Sequence, residues 1–201
     1  MLKISEEQIM NLLEKQDGNH SEVYRLIKDR LSDYREEEIA FAGEFLFFEE
    51  RYLLILKHIK ENQLPVKKVI DIGCQFGFQS ELFEGVEYIG IDAHKLRFFN
   101  REKSNVSYIV GKFPYVDICL RDAVTISSMS LGYFNSMVDE DEDRALDKIA
   151  DKLSECSHLY IATTPALIDK LKPLFESNKL LHCNEVLEHS YPMYYFSNLG
   201  R

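Results

Sequence analysis

The sequence predicts an α/β fold built on a mostly parallel sheet, and three observations predict it. Five short runs rich in β-branched residues lie between Val69 and Thr163 and read as buried parallel strands. Helical or loop connections separate them, and one connection carries Leu146, Ile149, Ala150 and Leu153 at the spacing of an amphipathic crossover helix. Two further strand-like stretches close the chain and suggest an antiparallel edge.

The elements follow in order. Ser5, with Glu6 and Glu7 behind it, caps a helix to about Lys15, and Asp17-Gly18-Asn19 breaks it. A second helical run starts near Ser21. In the third, Phe41, Phe45, Phe48, Tyr52, Ile55 and Ile59 recur at steps of four and three, one helical face. Leu46, Leu53 and Leu56 widen that stripe, so the helix is expected to pack on two sides, as a core helix rather than a partner groove. Asn62 and Pro65 stop it. The strands are then Val69–Ile72, Tyr88–Asp92, Val106–Val110, Ala123–Ser127 and Leu159–Thr163. The acidic run Asp139–Asp143 falls where the crossover helix begins, and reads as a solvated first turn favoured by the helix dipole. Thr164-Pro165 opens another helix, which Pro173 is expected to kink or end. The closing strands run from about Leu181 to Leu187 and from Met193 to Ser197. No repeat or flexible linker interrupts the chain. Residues 1–65 read as a helical extension, a lid or cap, of one domain whose sheet occupies 66–201.

Composition narrows the class. At 201 residues the chain makes one generous domain, large enough to need no metal or disulfide staple. With 24 Lys and Arg against 34 Asp and Glu, the net charge is −10, which works against nucleic acid as a partner, since a polyanion is met by cations that displace its counterions. No eighteen-residue apolar run predicts a membrane span, and the amphipathic, acid-bearing start fits no secretory or mitochondrial signal. A cytoplasmic location is expected. Cys74, Cys119, Cys156 and Cys183 are far apart and read as buried reduced thiols. The six histidines form no metal-ligand motif, so no metal is expected.

The informative stretch is Val69-Ile70-Asp71-Ile72-Gly73-Cys74-Gln75-Phe76-Gly77-Phe78. A strand ending in a glycine turn lets a ligand approach the backbone, with amide N–H groups free to bind it. The dinucleotide spacing G-x-G-x-x-G fails from Gly73, because its later positions hold Gln75 and Phe78. The spacing acid-x-G-x-G-x-G fits Asp71, Gly73 and Gly77 and misses only at Gln75. Asp92 ends the next strand about twenty residues after Asp71, where an acid can bind both hydroxyls of a ribose.

On these residues the sequence resembles the class I, Rossmann-like S-adenosylmethionine-dependent methyltransferases. The matching pieces are DIGCQFG (Asp71–Gly77), YIGID (Tyr88–Asp92) and DAVTISSMSLGYF (Asp122–Phe134). HLYIATTP (His158–Pro165) looks like the fifth strand of that fold, and the terminal pair like its closing hairpin. The likeness covers roughly residues 66–201. It implies a Rossmann-like, mostly parallel seven-stranded sheet with an antiparallel C-terminal strand, S-adenosylmethionine as cofactor and S-adenosylhomocysteine as product. It also implies that Asp71, Gly73 and Gly77 line the methionine moiety and that Asp92 binds the ribose. Where such enzymes often carry an acid for the adenine, Gly111-Lys112-Phe113 stands, so a backbone contact or stacking on Phe113 replaces it. Gln75 either crowds the cofactor or donates its amide to the cofactor carboxylate. The N-P-P-Y signature of amino methylation is absent after the fourth strand, where Ser127-Ser128-Met129-Ser130 stands.

Ligands of open α/β sheets sit outside the carboxyl ends of the strands. That places Gln75, His94, Ser128, Ser130, Tyr133 and Thr164 at the mouth and His158 at the opposite end. His94 and Tyr133 are the candidates for a catalytic base and an acceptor-pocket wall. The expected function is methyl transfer to a small-molecule or protein acceptor. The alternative is a non-catalytic binding or regulatory protein of the same fold. A nicotinamide oxidoreductase is disfavoured by Phe78 and by the terminal strand pair.

Overall fold

Side chains of a strand alternate between two faces, and in this chain each face of the sheet has a different cover. The computed structural model describes residues 6–17, 19, 22–23, 25–26, 44–75, 77–93, 104–128, 130–131, 142–177, 182–187 and 192–198. Its elements are α1 (Glu6–Lys15), α2 (Glu44–Glu61), β1 (Lys68–Ile72), a 3-10 turn (Phe78–Leu82), β2 (Glu87–Asp92), β3 (Val106–Val110), β4 (Val124–Ser128), α3 (Glu142–Leu153), β5 (His158–Ala162), α4 (Pro165–Ser177), β6 (His182–Leu187) and β7 (Met193–Ser197). The sheet order is β3-β2-β1-β4-β5-β7-β6. Neighbours from β3 to β5 are parallel, and β7 runs antiparallel between β5 and β6. The direction of winding reverses between β1 and β4, which opens a crevice at their carboxyl ends.

Ile70, Ile72, Ile91, Leu159, Ile161 and Phe196 point to one face, where α3 and α4 cover them with Leu146, Ile149, Leu153, Ile168, Leu171 and Phe175. Val69, Tyr88, Val124, Ile126, Tyr160 and Tyr195 point to the other, where Tyr52 and Ile55 of α2 and Phe83 meet them. That second face also carries polar groups. His58 of α2 shares a 2.8 Å hydrogen bond through Nδ1 with the Tyr160 hydroxyl, and its ring lies 4.6 Å from that of Tyr195.

Two expectations change and a third narrows. Leu53 does not widen the apolar stripe of α2, because it is 48% exposed, and the buried residues of that turn are Arg51 and Tyr52. Cys119 is exposed, whereas Cys74 and Cys156 are buried free thiols. Of the kink or end expected at Pro173, the end does not occur, and α4 runs on to Ser177 with the proline inside it. The proline removes a helical donor, but Pro173 and Asp169 are both exposed, so water can serve the orphaned carbonyl. Phe175 is fully buried and meets Phe196 edge-on with ring centroids 5.1 Å apart. Burial of that ring holds the last turn in place. Phe175→Ala is therefore expected to lose about 3–5 kcal/mol in urea denaturation. Pro173→Ala is expected to gain stability, by up to about 3 kcal/mol.

Candidate functional site

The turn after β1 is fixed by its own backbone before any ligand is considered. The N–H groups of Gly73 and Cys74 both donate to the Ile91 carbonyl, at 2.7 and 3.1 Å, and the Gly77 N–H closes the turn onto the Cys74 carbonyl at 2.9 Å. Such a path needs left-handed residues, and Gly73 (φ 77°), Gln75 (φ 49°) and Gly77 (φ 73°) supply them. At Gln75 this conformation costs a non-glycine residue about 1–2 kcal/mol. Its N–H is held by Asp92 Oδ2 at 2.9 Å, so the carboxylate at the end of β2 fixes the strained residue. The Gln75 side chain is exposed.

The glycines also make room for the chain itself. A Cβ on Gly73 would overlap the Cβ of Ser130, and one on Gly77 would overlap the Tyr108 hydroxyl. Ser130 sits there because its hydroxyl donates to the Ile72 carbonyl at 2.6 Å and shares a 2.7 Å bond with Ser127. Tyr108 reaches across β2 to donate to the Gly77 carbonyl at 3.3 Å.

Asp71 lies beneath the turn, fully buried. Its two carboxylate oxygens are claimed separately: Oδ1 accepts from the Tyr52 hydroxyl at 2.7 Å and Oδ2 from the Tyr88 hydroxyl at 2.5 Å. Burial pushes its pKa up from 3.8 to about 6 against the two tyrosine donors, which favour the charged form, and Asp92 adds to the rise. Beneath the end of β4, Arg51 of α2 is fully buried, and its Nη1 donates to the hydroxyl of Ser128, the last residue of that strand, at 3.1 Å.

The expected site residues thus fall into three groups. Gly73, Gln75, Gly77, Asp92 and Ser128 gather at the carboxyl ends of β1, β2 and β4. Asp71 lies under them, with both oxygens on tyrosines. Phe113 is fully buried in the core on the α3–α4 face, next to an exposed Lys112. His94 and Tyr133 lie outside the described residues. His158 opens β5, where Tyr195 meets its Nδ1 at 2.8 Å. Sequence reasoning missed Arg51, Tyr52 and Tyr88. The available signal was a charged residue interrupting the apolar face of α2 beside an aromatic one. No group of three or more metal-binding side chains occurs among the described residues.

Comparison with solved structures shows what this architecture is shared with. NodS, an N-methyltransferase from Bradyrhizobium japonicum WM9, superposes with a TM-score of 0.57 at 14% identity, over 77% of this chain and 98% of that one. The chain has the class I methyltransferase fold. A TehB-like S-adenosylmethionine-dependent methyltransferase from Corynebacterium glutamicum matches at TM-score 0.53 and 12% identity, over 89% of this chain and 98% of that one. Magnesium protoporphyrin IX methyltransferase (ChlM) from Synechocystis PCC 6803, solved with bound S-adenosylmethionine, matches at 0.55 and 12%, over 76% and 80%. No protein-family model and no curated protein sequence matches the chain.

Two outcomes test this geometry. Gly73→Ala is expected to destabilise by at least about 2 kcal/mol, from backbone strain and overlap with Ser130, and Ser130→Gly in the same chain should recover part of the loss in thermal denaturation. For Asp71, the folded pKa lies above the unfolded one, so its contribution to stability is fully present below about pH 3.8 and is lost as pH rises through about 6. The stability of wild type relative to Asp71→Asn should therefore fall by on the order of 2–3 kcal/mol between pH 4 and 7.

Proposed function

We propose that the chain binds S-adenosylmethionine and transfers its methyl group to a small-molecule or protein acceptor, leaving S-adenosylhomocysteine. One observation carries the reading: the strands on either side of β1 end in a carboxylate, Asp92 of β2, and in a serine, Ser128 of β4, backed by a buried guanidinium. Asp92 at the end of β2 holds the turn through the Gln75 amide, and Arg51 stands behind Ser128 at the end of β4. An adenosyl amino acid has matching chemistry, a ribose diol at one end and a carboxylate at the other. Asp92 would take the ribose hydroxyls, while Arg51, with Ser128, would take the amino-acid carboxylate in a charge-assisted pair. Gly73 and Gly77 would contribute backbone rather than open space, since their Cβ directions are filled by protein. When bound, the cofactor supplies a methyl group on a sulfonium. The chain's share is to orient the acceptor in line and exclude water, with a general base needed only for an acceptor that keeps its proton at neutral pH. His94 and Tyr133 remain the proposed residues for that base and for the pocket wall. The net charge of −10 favours a small-molecule or protein acceptor over a nucleic acid. No helix among the described residues is long and apolar enough to cross a membrane.

The test is calorimetric titration with S-adenosylhomocysteine, 5′-methylthioadenosine and NAD in parallel. S-adenosylhomocysteine should bind and NAD should not. Asp92→Ala should weaken both adenosyl ligands by about 1.5–3 kcal/mol. Arg51→Gln should weaken S-adenosylhomocysteine alone, because methylthioadenosine has no carboxylate. A wild-type chain indifferent to both adenosyl ligands overturns the reading.

A second reading, a binder that keeps the fold without transfer, is favoured by the packing of Ser130 and Tyr108 into the glycine positions. Transfer of labelled methyl from S-adenosylmethionine to small-molecule or protein fractions separates the two.

A further inference from the structure

We propose that Tyr52 of α2 and Tyr88 of β2 are positioning residues for the cofactor turn, acting through Asp71, so that α2 belongs to the binding unit rather than to a separable cap. The proposal rests on the adenosyl-binding reading above. Asp71 stands two residues before Gly73, at the base of the turn. One of its oxygens is tied to the helix and the other to the neighbouring strand. Tyr88 lies on the same strand as Ile91 and Asp92, and those two hold the amides of Gly73, Cys74 and Gln75. The buried carboxylate therefore joins α2, β1 and β2 at one point directly beneath the turn.

Burial makes that point stiff. Tyr52 is 1% exposed and Tyr88 and Asp71 are 0% exposed, so no water can take the place of a lost hydroxyl without opening the packing. Tyr52 meets Phe83 edge-on with ring centroids 6.2 Å apart, and the Phe83 ring lies 6.0 Å from that of Tyr88, so one buried phenylalanine packs against both tyrosines. Removing one hydroxyl leaves a buried acceptor unsatisfied. Asp71 must then shift or take up a proton, and Ile72 and Gly73 follow it through the backbone. Further along α2, His58 makes its own buried tie to Tyr160 in the middle of β5, well away from the turn in the sheet order. That residue provides an internal control, because its loss loosens the same helix without touching Asp71.

The experiment measures S-adenosylhomocysteine affinity by calorimetry for wild type, Tyr52→Phe, Tyr88→Phe and His58→Gln, with melting temperatures recorded alongside. Tyr52→Phe and Tyr88→Phe should each weaken binding, roughly 3- to 30-fold, at temperatures where the chain is fully folded. His58→Gln should stay within about twofold of wild type despite a comparable fall in melting temperature. Wild-type affinity in both tyrosine variants, or an equal loss in His58→Gln, overturns the positioning role. A wild-type chain that takes up no S-adenosylhomocysteine overturns the parent reading as well. If the tyrosine variants do not fold, hydrogen exchange of wild type decides. Ligand should slow exchange of the α2 amides around Tyr52, and unchanged exchange there would sink the proposal.

Discussion

A carboxylate enclosed by two tyrosines is the interaction on which the turn depends. Asp71 has no solvent around it, and each oxygen has a single hydroxyl donor from a different element. Two opposing effects act on it. Desolvation favours the neutral acid, while both hydroxyls favour the anion, and desolvation wins, because two neutral donors replace only part of a hydration shell. The cluster is thus a costly place for charge and a strict one for geometry. Any movement of α2, β1 or β2 relative to the others breaks a buried bond, whereas apolar contacts alone would let the elements slide.

The distribution of polar groups over the two faces follows from how each face is covered. Two helices shield one face with aliphatic and aromatic residues that fill space in many directions. Among the described residues, the other is served by α2 and a short 3-10 turn. A single helix meets a twisted sheet along one line, so directional bonds are more useful there than volume. Arg51 reaches β4, Tyr52 reaches β1 and His58 reaches β5. Three inward side chains of one helix thereby address three strands, and the helix is set in rotation as well as in depth.

Period-based reading located the strands because buried parallel strands are short, β-branched and bounded by turns, and each of the first five lies within one residue of its expected range. The glycines of the turn, Gly73 and Gly77, were legible for a similar reason: a left-handed backbone leaves few residue choices. Arg51 was legible only as a charge interrupting an apolar helix face, since a charged residue on a helix usually marks the solvent side, and the pairing with Ser128 is what shows it turned inward. Pro173 was excluded only as the end of the helix. Its local cost was read correctly, but the burial of Phe175 two residues later lies in tertiary structure and outweighs it. Asp71 shows the limit most clearly. The spacing that singles it out cannot say whether its carboxylate faces a ligand or two tyrosines.

The same ambiguity attaches to the glycines, and the packing gives it physical content. A glycine in a strand-to-helix turn is usually explained by the ligand that approaches it. Here each is also required by a neighbour within the chain: Gly73 by Ser130, which ties the crossing of β4 to the end of β1, and Gly77 by Tyr108, which ties the edge strand β3 to the far end of the turn. Loss of either glycine would disturb the sheet's carboxyl edge even in the absence of any ligand. A turn built this way has its shape fixed in advance. Its amides are spent on that shape, Gly73 and Cys74 on Ile91, Gln75 on Asp92 and Gly77 on Cys74, so the acid of β2 stands in place without an ordering cost, which is the condition under which a small polar ligand gains most from each hydrogen bond. Gln75 fits the same logic. Its left-handed backbone is strained for a residue with a side chain, and the strain persists because Asp92 and the two flanking glycines over-determine the path. The exposed side chain of Gln75 is thereby carried on a backbone fixed at the end of β1.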